Sequence, residues 1–374
     1  MTLSNEILTE IETLAPDSFD LLLTLAQIPA PSHHEERRAQ FCLDWLRRQG
    51  AEDAYIDSAL NVIYPIGDDG TKDLMVFMAH SDVVFPDTDP LPLSVEGGRI
   101  CCPGVGDDTA NAVALLTAAG HIAREKLLPK DCGVLLVVNS CEEGLGNLKG
   151  SRKIMEDFGH RVKEFITFDG NAGVVVTKAV GSRRYRVSVK TQGGHSYGCF
   201  GAPNAIAQLS ALISRLYEME VPDIGRTTYN VGTICGGTSV NTIAQNAEML
   251  FEFRSDEQEG LASMQAQFDS IVEEFRQKGV QMELEVVGDR PCGLDVDNTA
   301  LARRAAQAVQ THYGIEPQFG CGSTDCNVPL SMGISAICPG CVIGSGAHTR
   351  EEYVEIDSLL PGLKVAFELI LHHF

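Results

Sequence analysis

Imidazole and carboxylate side chains recur in this chain at the places where apolar runs stop. His80 follows the run 74–79, Glu142 and Glu143 follow 134–138, and Asp169 follows 165–168. Asp107 and Asp108 stand between a glycine turn, Gly104-Val105-Gly106, and the alanine-rich stretch 110–119, and His348 lies near the C-terminus. Nitrogen and carboxylate oxygen donors of this kind suit zinc and related divalent ions. Each member alone has a plainer reading: a structural histidine after a strand, a solvated glutamate pair, an aspartate pair capping a helix. As a set they are costly, because burying so many carboxylates without cations opposes folding. Asp82, two residues after His80, can accept the second ring N–H and so fix the tautomer that binds metal.

The elements that would position these groups follow from the same runs. All three are short enough for buried strands, with helical patterns between or beside them. In an open α/β sheet, ligands gather beyond the carboxyl ends of the strands, which lets side chains distant in sequence converge. From 184 to 287 the pattern changes to strand 185–190, helix 204–218, strand 228–234, strand 248–253, helix 260–278 and strand 282–287. That β-α-β-β-α-β order is ferredoxin-like. The chain resumes with a helix over 298–313, a glycine-rich loop at 320–322 and a strand at 334–338. The expected fold class is α/β, a mixed sheet flanked by helices, with an α+β domain at 181–290 inserted between segments 1–180 and 291–374.

Composition narrows the function classes. At 374 residues with 44% apolar content the chain exceeds the usual single core, which favours two domains. A formal net charge of -22 repels phosphate backbones and anionic lipid, so neither nucleic acid nor a membrane is an expected partner. The N-terminus lacks a basic start with an apolar core, and no apolar run approaches the roughly 20 residues that span a bilayer. A soluble, cytoplasmic protein is expected. The 12 cysteines are scattered through a long chain and read as reduced core residues rather than a disulfide framework. Cys338-Pro339-Gly340-Cys341 has redox or half-zinc-site spacing, but without a second such pair it reads as a strand-to-turn segment.

His80-Ser81-Asp82, Gly104-Val105-Gly106-Asp107-Asp108, Ser140-Cys141-Glu142-Glu143-Gly144, Asp169, Gly193-Gly194-His195 and Gly346-Ala347-His348-Thr349 followed by Glu352 resemble, in order and over nearly the whole chain, the two-zinc exopeptidase and deacylase family. That family includes glutamate-releasing carboxypeptidase, succinyl-diaminopimelate desuccinylase, acetylornithine deacetylase, aminoacylase and peptidase T. The resemblance implies a zinc-exopeptidase-like catalytic domain with 181–290 as its lid and dimerisation domain. It implies two Zn2+ ions per subunit, which Co2+ or Mn2+ could replace. Asp107 would bridge them, His80 and Asp169 would complete one set of ligands, and Glu143 and His348 the other. Glu142 would be the general base, with Asp82 behind His80, and a cis peptide would follow Asp107.

The implied substrate is a small peptide or an N-acyl amino acid cleaved at an amide bond. An exopeptidase of carboxypeptidase or dipeptidase type is favoured, with N-acyl amino acid deacylase and tripeptide aminopeptidase as alternatives. In dimeric members the histidine matching His195 crosses from the partner's lid to stabilise the oxyanion, so a homodimer is expected. The segments 236–241 and 251–254 resemble the loop and strand that present Asn241 and Arg254 to substrate. A guanidinium fork grips a carboxylate well, although Arg254 reads equally as a strand-end ion pair. Ser323 and Thr324 resemble a loop lining the same pocket and read equally as a Gly/Ser turn.

Three other classes fit less of the sequence. A nucleotide-binding protein would use Gly104-Val105-Gly106, but a third glycine at fingerprint spacing is missing and two aspartates stand where a pyrophosphate would bind. A thiol-redox protein built on Cys338 and Cys341 leaves the His, Asp and Glu set unexplained. A non-catalytic amino-acid or metal-binding relative would have no need of Glu142. The sequence also departs from many relatives by carrying Thr109, Ala110 and Asn111 where they have a lysine and a glycine.

Overall fold

Leu74–His80 and Gly133–Asn139 are buried at nearly every position, the pattern of strands covered on both faces. In the computed structural model, which describes residues 2–374, they lie at the centre of an eight-stranded mixed sheet. Its order is Tyr55–Ile56, Val62–Ile66, Gly133–Asn139, Leu74–His80, Val162–Thr167, Ser335–Pro339, Val174–Ala179 and Gln318–Gly322. The third to sixth of these run parallel, so their carboxyl ends share one edge. His80 closes one of these strands, and Glu142, Glu143 and Asp169 follow two others within a few residues.

Helix Ala110–Glu125 covers the sheet with a run of small and aliphatic side chains buried along almost its whole length. Helix Ile356–Leu371 packs beside it and completes the larger apolar core. Two expectations change here. The glycine-rich segment 320–322 is part of an edge strand, Gln318–Gly322, parallel to Val174–Ala179, rather than a loop. Glycine is tolerated at that edge, and Gly322 lets the strand lie against Val176, whose Cγ2 would be 3.0 Å from an added Cβ. The aspartate pair does not cap the helix either. Asp107 and Asp108 sit in a wide turn, Val105–Thr109, with non-helical torsions, and the helix starts at Ala110.

The chain divides into two compact units, one running to Ala179 and resuming over Leu294–Phe374, the other Val180–Gly293. The second unit is a four-stranded antiparallel sheet ordered Thr227–Gly236, Asn246–Ser255, Gly181–Lys190 and Gln281–Arg290, with helices Ala205–Leu216 and Gln258–Gln277. Burial alternates strictly along Asn246–Ser255, the two-residue period of a sheet with one buried face. Asn204 starts the first helix by accepting the Ile206 and Ala207 N–H groups at 2.9 and 3.2 Å. Phe268, fully buried, stacks on Tyr185 at 4.4 Å and on Phe251 at 5.5 Å between ring centroids. Phe268→Ala should destabilise this unit by ~3–5 kcal/mol in denaturant unfolding, because it removes the centre of an aromatic cluster.

Candidate metal centre

The centre is built at the shared strand edge of the first unit. Asp107 stands between two imidazoles: its Oδ1 is 3.1 Å from His80 Nε2 and its Oδ2 is 3.1 Å from His348 Nε2. His348 Nε2 is also 3.1 Å from Glu143 Oε1. His80, Asp107 and Glu143 offer ligand atoms that all lie within 4.8 Å of one another, and so do His80, Asp108 and Asp169. Of the six residues singled out by sequence as ligands or base, five therefore meet in one cluster, and Glu142 adjoins it through Glu143.

Local hydrogen bonds explain how each donor is aimed. His80 Nδ1 is 3.0 Å from the Asp82 carbonyl oxygen, closer than the 3.5 Å to the Asp82 carboxylate. A carbonyl oxygen only accepts, so Nδ1 carries the proton and Nε2 turns its lone pair towards Asp107. The Asp82 carboxylate instead accepts the N–H groups of Glu142 and Glu143, both at 2.9 Å, and the Ser32 hydroxyl at 2.7 Å. One residue thus sets both the histidine loop, through its main chain, and the glutamate turn, through its side chain. Cys141, just before that turn, has φ 55 and donates its N–H to Glu35 at 3.0 Å.

The bridging aspartate has its own anchor. Glu352, buried, accepts the N–H groups of Gly104 at 2.7 Å and of Gly106 and Asp107 at 2.8 Å. The Asp107–Asp108 peptide is cis. Asp108 accepts the His80 N–H at 3.0 Å and the Asn111 amide at 2.6 Å. Although Asp108 falls within reach of His80 and Asp169, these bonds to both of its oxygens mark it as a carboxylate that orients the chain.

The donor set fits divalent cations. A lone pair on His80 Nε2 facing a carboxylate oxygen at 3.1 Å is repulsive unless a proton or a metal ion lies between them. Glu143 Oε1 is buried and faces His348 Nε2 at 3.1 Å. Burial and the charge of Asp107 push the Asp169 carboxyl up to about 7. Burial likewise raises Glu352 to about 7 despite its three N–H donors. The carboxylates of Asp107 and Glu143 lift His348 to about 10. Burial alone would depress His80, but Asp108, Asp107 and Asp82 together hold it well above its ordinary value. These are signs of negative charge crowded without compensation.

The remaining sequence-derived residues are placed differently. Thr324 closes a local turn, its N–H donating to Asn327 Oδ1 at 2.9 Å and its hydroxyl accepting the Cys326 N–H at 3.2 Å. Ser323 follows the edge strand. The neighbouring Asp325 accepts the Asn139 amide at 2.7 Å and adds to the charge that raises Asp169. His195, Asn241 and Arg254 belong to the second unit. There His195 pairs with Thr242 in a short strand contact, and its Nδ1 accepts the N–H groups of Tyr197 and Gly198 at 3.3 and 3.2 Å. The exposed Nε2 is consequently the protonated nitrogen. The Asn241 carbonyl accepts the Ser196 N–H at 3.0 Å, so Asn241 and His195 form one loop cluster. Arg254 is held by both oxygens of Glu252, at 2.9 and 3.1 Å, the ion-pair alternative left open by the sequence.

Comparison with known proteins gives the family and the fold. The profile of peptidase family M20/M25/M40 matches residues 76–372. A putative succinyl-diaminopimelate desuccinylase of Mycobacterium tuberculosis is 24% identical over 354 residues, spanning 92% of this chain and 96% of that protein. Among solved structures, a tripeptidase from Staphylococcus aureus has a TM-score of 0.77 at 20% identity, covering 95% of this chain and 97% of its own. A dipeptidase from Saccharomyces cerevisiae has a TM-score of 0.76 at 18% identity, covering 97% of each. These structural likenesses show the fold.

The crowded charge has a pH signature. Asp169 and Glu352 hold their protons more tightly when folded, so the metal-free protein loses stability as pH rises from the ordinary carboxyl range through about 7. The stability that His348 gains from its carboxylates is complete below its ordinary range and is lost as pH climbs towards about 10. Melting of metal-free protein should therefore show Tm falling from about pH 6 to about pH 8.5, with saturating zinc raising Tm more at the higher pH.

Proposed function

Since the chain belongs to peptidase family M20/M25/M40, whose members are metal-dependent hydrolases, we propose that it is a two-zinc exopeptidase acting on a short peptide. The observation that carries this reading is the placing of Asp107, whose two oxygens each face a different imidazole at 3.1 Å. His80, Asp107 and Asp169 would hold one ion, and Asp107, Glu143 and His348 the other. Bound there, two zinc ions supply a more acidic water and polarisation of the scissile carbonyl. Co2+ or Mn2+ would suit the same donors.

Glu142 takes the proton of the attacking water and returns it to the leaving amine. Its place beside Glu143, with its N–H fixed by Asp82, supports that role. The exposed Nε2–H of His195 is a donor for the developing oxyanion, supplied by a second copy in a homodimer. Arg254 and Asn241 are the proposed partners of the substrate carboxylate; Ser323 and Thr324 are proposed substrate contacts. A cytoplasmic location belongs to the same proposal: most of the 12 cysteines are buried thiols, which suits a reducing compartment. Among the described residues no helix is long and apolar enough to cross a membrane.

A second reading, N-acyl amino acid deacylase, is favoured by the similarity to a putative desuccinylase over 92% of the chain. Hydrolysis of a panel of dipeptides, tripeptides and N-acyl amino acids by metal-free protein, with and without zinc, separates the two by the amine released. Glu142→Gln should keep both ions and lower kcat by at least about a hundredfold; near-native turnover would remove Glu142 as the base. Sedimentation should give an active dimer, and a fully active monomer would remove His195 from the reaction.

A further inference from the structure

His348 is the outlying member of the cluster, 58% exposed, whereas His80 is 1% exposed at the end of a buried strand. It has φ 64, a left-handed conformation that a side chain disfavours. It lies on the loop between the paired strands Gly344–Ser345 and Tyr353–Glu355. Thr349 closes that loop, donating its N–H at 2.9 Å and its hydroxyl at 2.7 Å to the Gly346 carbonyl. This turn shapes the loop but does not by itself decide how the imidazole stands over Asp107.

Arg350, two residues on, supplies an external fix. Its two terminal nitrogens donate to the two oxygens of Asp87 at 3.0 and 2.7 Å. Its guanidinium also lies 4.6 Å over the ring of Phe85, which is buried to 8% exposure. Phe85 and Asp87 belong to the segment leaving His80 and Asp82. The arginine thus ties the loop carrying one imidazole to the segment that begins at the other. A planar fork with two parallel bonds and an aromatic face beneath it defines direction as well as distance, which a lone ammonium does not.

We infer that Arg350, through Asp87 and Phe85, is a positioning residue that sets the metal affinity of the Asp107–Glu143–His348 position. The inference rests on the two-metal reading above. The His80–Asp107–Asp169 position is carried by strand ends and the Asp82 and Glu352 anchors, so cutting the arginine tether leaves it in place. A free loop would relax from the left-handed conformation at His348 and withdraw one donor from one ion only.

Stepwise titration of metal-free protein with Co2+, followed by calorimetry and visible absorption, tests this without recourse to turnover. Wild type should bind two ions. Arg350→Ala should weaken one step about tenfold, the scale of lost supporting contacts around metal ligands, and leave the other within about twofold. Asp87→Ala should reproduce that pattern, Arg350→Lys should fall between, and the exchanged pair Arg350→Asp with Asp87→Arg should recover most of the loss. Two ions bound by Arg350→Ala with both steps within about twofold of wild type, or both steps weakened alike, would overturn the inference. A wild type that binds fewer than two ions would overturn the two-metal reading itself and this inference with it, an outcome visible before any variant is made.

Discussion

Carboxylates and imidazoles crowded at the end of a parallel sheet need compensating positive charge, and much of the first unit is arranged around that need. Part of the compensation comes from the chain's own N–H groups. Glu352 takes three of them from the glycine turn and Asp107, and Asp82 takes two from the glutamate turn. Each such carboxylate fixes several main-chain positions at once, which a side chain-to-side chain contact would not do. The compensation is incomplete, as the raised Asp169 and Glu352 carboxyls show. A divalent cation would supply the rest beside Asp107, which divides its two oxygens between separate imidazoles.

Asp82 is the point where the elements are coupled. Its backbone carbonyl orients His80, and its carboxylate holds Glu142 and Glu143 in register with that histidine. Ser32 adds a third attachment from the segment before helix Glu36–Arg48. The proposed ligands His80 and Glu143 and the proposed base Glu142 thus share one support. A change at either of these two strand ends is felt at the other, which is a physical reason that a site geometry can be kept by residues far apart in sequence.

The strands and their chemistry were legible in sequence because a buried strand writes itself as an apolar run that ends abruptly. His80, the glutamate pair and Asp169 were found at such endings, and the alternation of the second unit was read in the same way. Less legible were features that depend on which side chain bonds which main-chain atom. The aspartate pair looks like a helix cap in one dimension, yet Asp107 turns towards two histidines and Asp108 towards the His80 N–H. Glu352 follows His348 by four residues and could be noticed, but its hold on Gly104, Gly106 and Asp107 spans nearly 250 residues. Asp325 and Arg350 are of the same kind. The glycines at 320–322 suggest a loop by composition, whereas parallel pairing with Val174–Ala179 decides the outcome.

Arg254 shows why a proposed binding residue is harder to read than a proposed metal ligand. A metal ligand is implied by charge crowding, which the fold cannot tolerate alone. A guanidinium that meets substrate can satisfy itself within the protein, and Arg254 does so with both oxygens of Glu252, which Arg184 also contacts at 3.1 Å. Exchange of one carboxylate for another in front of that fork conserves the number of charged hydrogen bonds. Little net affinity then comes from the exchange itself. In the proposed role Glu252 would instead keep the fork aimed before substrate arrives, and selectivity among peptides and acyl amino acids would fall to the other donors that meet the substrate.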